Sequence, residues 1–177
     1  TAALAALSAG LRVDTCIREN MPADSSIARA MELCDAALGG SLPSSVVVEW
    51  PDGVDPELPA DVLRDVHAAV AGLPGLGTPC SALTIAAGLV RDGTIADATM
   101  AEVARIPERI RAHFVRADLR RAVVLVPTSD RGARALEPVL GGIEDDLREI
   151  ERCRPGVRCE LTGSAVVSAR NLHGIIR

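Results

Sequence analysis

Two β-branched runs, each followed at short range by an amphipathic helical repeat, constrain the fold of this chain more than any other feature. The first run, SVVVEW at Ser45 to Trp50, ends at Pro51-Asp52-Gly53, and a short apolar run stopped by turn residues reads as a buried strand. Glu57 to Leu73 then repeats Leu58, Val62, Val66, Val70 and Leu73 at helical spacing. Pro74-Gly75 closes that helix, and an extended piece running to about Leu83 completes a β-α-β unit. The second run, Leu119 to Pro127 with its VVLV core, precedes the clearest helix in the sequence, Gly132 to Cys153. There Leu136, Val139, Leu140, Ile143, Leu147 and Ile150 face inward, and Glu144, Asp145, Asp146 and Glu149 face outward. Arg154-Pro155-Gly156 stops it, and Val157 to Leu161 alternates as a strand.

Asp24 to Leu38 adds a helix with Ile27, Met31, Cys34 and Leu38 on one stripe, stopped by Gly39-Gly40. Residues 84 to 115 are helical and broken before Pro107, with Ile106, Ile110 and Phe114 on one face. The expectation is an α+β fold: two βαβ units in a ferredoxin-like (split βαβ) sandwich with a helical insertion. Its parts are a leading segment over 1–23 with a possible edge strand at 10–15, a first unit with its preceding helix over 24–83, the insertion over 84–118, and a second unit with an exit helix over 119–177. A doubly wound parallel sheet is the rival, but only about four strands are legible and none opens into a glycine-rich phosphate loop. A chain of 177 residues is long enough to bury roughly 70% of its unfolded surface in one core.

All 19 basic residues are Arg, and Lys is absent. That removes a Walker-type phosphate lysine, a Schiff base to a carbonyl or to pyridoxal phosphate, and a Ser/Lys dyad. Trp50 and Phe114 are the only aromatics and the net charge is −5, which leaves no stacking platform for bases and excludes nucleic acid as an expected partner. Residues 1 to 90 carry 4 Arg against 11 acids, net −7, whereas residues 91 to 177 carry 15 Arg against 13 acids, net +2. The halves therefore either attract one another or present ordinary solvated helix faces.

No motif specifies an active site. His67, His113 and His173 are solitary, so no metal site is expected. Thr162-Gly163-Ser164 sits between a strand and a helix but lacks the G-x-S-x-G of a nucleophile elbow, and reads as a turn with a capping serine. Gly75-Leu76-Gly77 follows a helix, not a strand, and reads as loop geometry. No catalytic residue and no cofactor is expected. Of the five cysteines, Cys153 with Cys159 and Cys16 with Cys34 are placed where disulfides could form, leaving Cys80 free; equally, all five could be small buried thiols.

Several segments in order carry a resemblance: LRVDT after an apolar start, ENMPADSS, LGGSLP, SVVVEWPDG, LPGLGTPCSAL, RRAVVLVPTSD and CELTGSAVVSARN. Together they resemble an extramembrane loop of an RND-superfamily transporter, nearest the MMPL and hopanoid-exporter branch. The resemblance spans essentially the whole chain and implies a periplasmic porter-type domain at the face of the bacterial inner membrane. It implies membrane helices on either side, with Thr1 to Gly10 as the end of one, and places the proton-relay acids outside this sequence. It further implies three partners: an apolar lipid, the sister periplasmic loop and a periplasmic carrier protein. Such loops often line a cavity with aromatics and Met, which are scarce here, so an aliphatic cavity suited to a hopanoid- or sterol-like ring system is expected. Met100, Ile106, Ile110 and Phe114, in the insertion between the two units, are its expected lining. A docking role without lipid contact, and a free-standing ferredoxin-like sensor of a small metabolite, are the alternatives.

Overall fold

The computed structural model describes residues 16–22, 24–90 and 93–175, the side chains of 171–175 excepted. The expectations for Thr1 to Gly10, for an edge strand at 10–15 and for the side chain of His173 lie outside the described residues. Among the described residues the fold is α+β: seven α-helices, a single 3-10 turn at Arg18–Asn20 and a three-stranded antiparallel sheet. In chain order the elements are α1 (Ser26–Leu38), β1 (Leu42–Glu49), α2 (Leu58–Val70), α3 (Ala82–Leu89), α4 (Met100–Arg105), α5 (Glu108–Arg111), β2 (Arg121–Thr128), α6 (Ala133–Cys153), β3 (Arg158–Gly163) and α7 (Ser164–Ile175).

β1 is the central strand, with β2 on one side and β3 on the other, both antiparallel to it. Alternation along each strand places Ser44, Val46 and Val48 of β1, Ala122, Val124 and Val126 of β2 and Leu161 of β3 in the interior. The apolar stripes of the long helices meet them there: Val62, Leu63, Val66 and Val70 of α2, and Leu136, Leu140, Ile143, Leu147 and Ile150 of α6. Val166 and Ala169 of α7 join the same core. The opposite sheet face carries Ser45, Val47, Glu49, Arg121, Val123, Leu125 and Glu160, all half-buried or exposed.

The extended piece expected to run to about Leu83 is shorter than that. Two isolated bridges, Leu76 to Thr128 and Cys80 to Leu125, lay it antiparallel against the outer side of β2. Ser81 then caps α3, so helix begins at Ala82. Pro74 and Pro79 on either side of the Gly75-Leu76-Gly77 turn remove ladder donors and prevent a longer strand. Val115 pairs with Ala122 farther along the same side of β2. Between them the two segments occupy the outer edge of β2: Val123 N–H donates to Phe114, Leu125 and Cys80 exchange a bond pair, Gly77 N–H donates to Pro127 and Ser129 N–H to Gly75.

α1 starts on Ser25, whose Oγ accepts from Ala28 N–H at 3.1 Å, and ends on Gly39 in the left-handed conformation at φ 77°. Its stripe is not buried: only Ala28 is interior, while Ile27 and Leu38 are each 57% exposed. The Leu38-Gly39-Gly40 segment instead passes directly over Gly77 and the Pro127–Thr128 backbone, a crossing that side chains at these glycines would block.

The charge difference between the halves is used in part within the molecule. Glu49, Asp52 and Asp65 of the first half pair with Arg121, Arg120 and Arg154 of the second. All are partly exposed, so each contributes at most about 1 kcal/mol.

Candidate functional site

Met100, Ile106, Ile110 and Phe114 do not come together on one wall. Ile106 ends α4 pointing inward and is 2% exposed within the core, whereas Ile110 on the four-residue α5 faces solvent. Met100 and Phe114 are half-buried against the core. Thr99 and Glu102 form a reciprocal capping box that starts α4, so this turn is set locally by its own side chains. The kink before Pro107 separates Ile106 from Ile110, because helical spacing does not continue across it.

The most enclosed polar pair is His67 with Ser81. Both are buried, and the imidazole Nε2 and the serine Oγ share a hydrogen bond of 2.7 Å. Ser81 Oγ also accepts from Leu83 N–H at 3.2 Å, while Ser81 N–H donates to Thr84 Oγ1 at 3.1 Å, completing a capping box at the start of α3. Burial holds the His67 imidazole below its ordinary pKa. A Ser and a His in contact suggest nucleophilic chemistry, but Ser81 is 0% exposed and among the described residues no carboxylate bonds to the imidazole to orient it. The pair ties α2 to α3. It was not legible in the sequence as a pair, because the residues are 14 apart.

Ser164 opens α7 directly after β3, as a strand-to-helix turn requires, and its hydroxyl donates to the Pro43 carbonyl at 3.4 Å. Gly163, at φ 126°, lies so close to Pro43 and Ser44 that a side chain there would strike β1 backbone.

All five cysteines are free thiols. Cys153, placed by its sequence position as a possible partner of Cys159, is exposed, with its thiol donating to Glu149 at 3.4 Å. The last turn of α6 carries Cys153 past Ile150, the last interior position of that helix. Cys159 is half-buried against the core, and Cys153 is not joined to it. Cys16 is engaged elsewhere, donating from its thiol to the Asp130 carbonyl at 3.4 Å, so it is not joined to Cys34. Burial raises the thiols of Cys16 and Cys80 and pushes that of Cys159 up to about 12. A thiol reagent at pH 8 should therefore modify Cys153 first and Cys159 last, Cys159 having a thiolate fraction on the order of a thousandfold below that of an ordinary thiol. Fewer than five titratable thiols in the unfolded, unreduced protein would show a disulfide instead.

Two open depressions share Glu49. One, of about 200 Å³, is lined by Glu49, Trp50, Arg116, Asp118, Arg120 and Arg121. Each of its three guanidiniums has a carboxylate partner: Arg116 with Asp118 at 3.2 Å, Arg120 with Asp52 and Asp118, and Arg121 with Glu49. It presents no uncompensated charge to an anion. The other, of about 290 Å³, is lined by Val47, Glu49, Glu151, Arg158, Cys159 and Glu160 along β3. Among the described residues no group of three or more His, Cys, Asp or Glu side chains converges to hold a metal ion.

No family model matches the chain, and no curated protein matches it.

Proposed function

We propose that this chain is a ferredoxin-like extramembrane domain of an RND-superfamily transporter, from the branch that moves apolar lipids. We further propose that it serves transport by docking on a sister loop through its open sheet face. The observation that carries the reading is the interleaving of its β elements. The Leu76–Cys80 segment and β1 run parallel with β2 between them, and β2 and β3 run parallel with β1 between them. Each parallel pair is joined through a helix, α2 in the first and α6 in the second, and this connectivity supports reading the fold as a split βαβ arrangement used twice.

Docking is favoured over an internal lipid cavity by where the apolar side chains lie. The interior is filled from both sides, and Ile106 is part of that filling. The sheet instead offers an uncovered apolar patch of its own, where Leu125 is 38% exposed opposite Ser45, with half-buried Val123 beside it on β2 and half-buried Val47 diagonal to it on β1, apart from the exposed apolar residues of α1. No helix of the described residues is long and apolar enough to cross a membrane, so the membrane part of such a transporter would come from flanking sequence.

The gene supplies the first test. A run of about 20 apolar residues on each side of the chain is expected, and its absence on both sides would overturn the transporter reading. Within the transporter, Leu125→Arg should abolish lipid export while leaving protein abundance and the fold of the domain unchanged. Unaltered export would reject the docking face. Saturable one-to-one binding of a sterol by the isolated chain would instead restore the cavity.

A further inference from the structure

The two edges of the sheet are not alike. The outer side of β2 is occupied by the Leu76–Cys80 and Phe114–Arg116 segments, whereas no described strand pairs with the outer side of β3. Two side chains reach that open side. Glu151 accepts from Cys159 N–H at 2.6 Å, and Arg170 donates to the Leu161 carbonyl at 3.4 Å. These contacts identify which backbone groups point outward: those of Cys159 and Leu161, while Arg158, Glu160 and Thr162 face Glu49, Val47 and Ser45 of β1. Arg158 and Glu160 are both exposed, and neither has an ion-pair partner among the described residues. Among the described residues, a cation and an anion without an ion-pair partner thus stand two residues apart on one face of an edge that no strand pairs with.

We infer that this edge pairs with β3 of a second copy of the chain, antiparallel about a two-fold axis at Cys159, joining the two sheets into one of six strands. The register follows from two conditions. Outward backbone groups must meet outward groups, so odd-numbered residues of one β3 face odd-numbered residues of the other. An axis at Glu160 satisfies this but sets Glu160 against its own copy. An axis at Leu161 sets Glu160 against Thr162 and leaves Arg158 without a partner. Only the axis at Cys159 places Arg158 of each copy opposite Glu160 of the other, about 4.5–5.5 Å apart at Cβ, and does so twice. Cys159 N–H then leaves the Glu151 carboxylate for the carbonyl of Cys159 in the other copy, and Val157 comes opposite Leu161 on the core side.

The pairing is tested by sedimentation velocity of the full 177-residue chain at rising concentration, with charge reversals at two exposed positions. The unaltered chain is expected to dimerise. Arg158→Glu alone and Glu160→Arg alone each turn both cross-strand pairs repulsive, and each should weaken association at least tenfold, about 1.4 kcal/mol. Mixing the two variants restores two attractive pairs per dimer, so the mixture should form heterodimers that neither forms alone. A chain that stays monomeric at every concentration overturns the inference and identifies Glu151 and Arg170 as seals on the edge. Single variants that dimerise as well as the parent, or a mixture that does not recover, overturn the register. Amide exchange gives a readout that needs no variant: protection at Cys159 and Leu161 should rise with concentration, and protection that does not change with concentration counts against the pairing. None of these outcomes depends on the transporter reading.

Discussion

Gly77→Ala is expected to destabilise the protein by roughly 3 kcal/mol or more, read as a lower denaturant midpoint at unchanged m-value. A Cβ at Gly77 would be driven into the Leu38 carbonyl and would also press on Pro127 at 3.0 Å. Neither obstacle is the flexible end of a side chain. The Leu38 carbonyl belongs to the last residue of α1, and Pro127 accepts the Gly77 N–H at 2.7 Å in the segment that closes the outer edge of β2. Relieving the clash therefore means moving α1 off the sheet or breaking the edge bond. Gly40→Ala is expected to behave alike, because its Cβ would lie 2.5 Å from the Pro127 carbonyl carbon. Gly141→Ala is the control. It sits within α6 with nothing within 4 Å of the added carbon, so helix propensity alone predicts a gain of about 0.5–1 kcal/mol. A small effect at Gly77, comparable with that at Gly141, would show that the crossing is not tight.

The second large effect is expected at the α2–α3 clamp. Ser81→Ala removes the cap of α3, worth about 1 kcal/mol, and strands the buried His67 Nε2, worth about 1–3 kcal/mol more. Ser81→Thr keeps the oxygen and should recover part of the loss. The same clamp sets a pH dependence whose sign is fixed by burial, which lowers the folded pKa of His67. Above about pH 6.5 the imidazole is neutral in both folded and unfolded chains, and its contribution to stability is complete. Below that, the unfolded chain takes up a proton that folded His67 resists, so stability falls by at most about 1.4 kcal/mol per pH unit. The fall stops once the pH passes below the lowered folded value. Chemical denaturation from pH 7.5 to pH 5 should show this slope in the parent and lose it in His67→Phe. An identical slope in that variant would assign the dependence to another group.

The elements themselves were largely legible because each satisfies a local rule. α6 spans Ala133–Cys153 within one residue of its expected start, because its apolar period and the Pro155-Gly156 stop point the same way. β1 and β2 were found from their β-branched runs, but their ends shift: β1 begins three residues early at Leu42 because pairing with β2 adds Leu42 and Pro43 opposite Thr128 and Pro127, and stops at Glu49, while β2 begins two residues late at Arg121. The expected binding face failed for a reason of distance. Periodicity gave Ile106 and Ile110 one helical face, but the break at Pro107 turned one into the core and left the other outside. The cysteine pairing failed similarly, because helical spacing assigns Cys153 a face but not what lies opposite that face at the end of α6.

The sequence by itself determined the α+β class, the order of the elements and the absence of lysine chemistry, all of which depend on residue identity and on spacings within a few turns. The tertiary structure alone decided that α1 leaves Ile27 and Leu38 of its apolar stripe exposed, that His67 finds Ser81, that glycines let Leu38 cross Gly77, and that among the described residues β2 has a closed edge while β3 has an open one. Each of these depends on residues brought together from distant positions, where burial and backbone pairing are settled by what the rest of the chain leaves unoccupied.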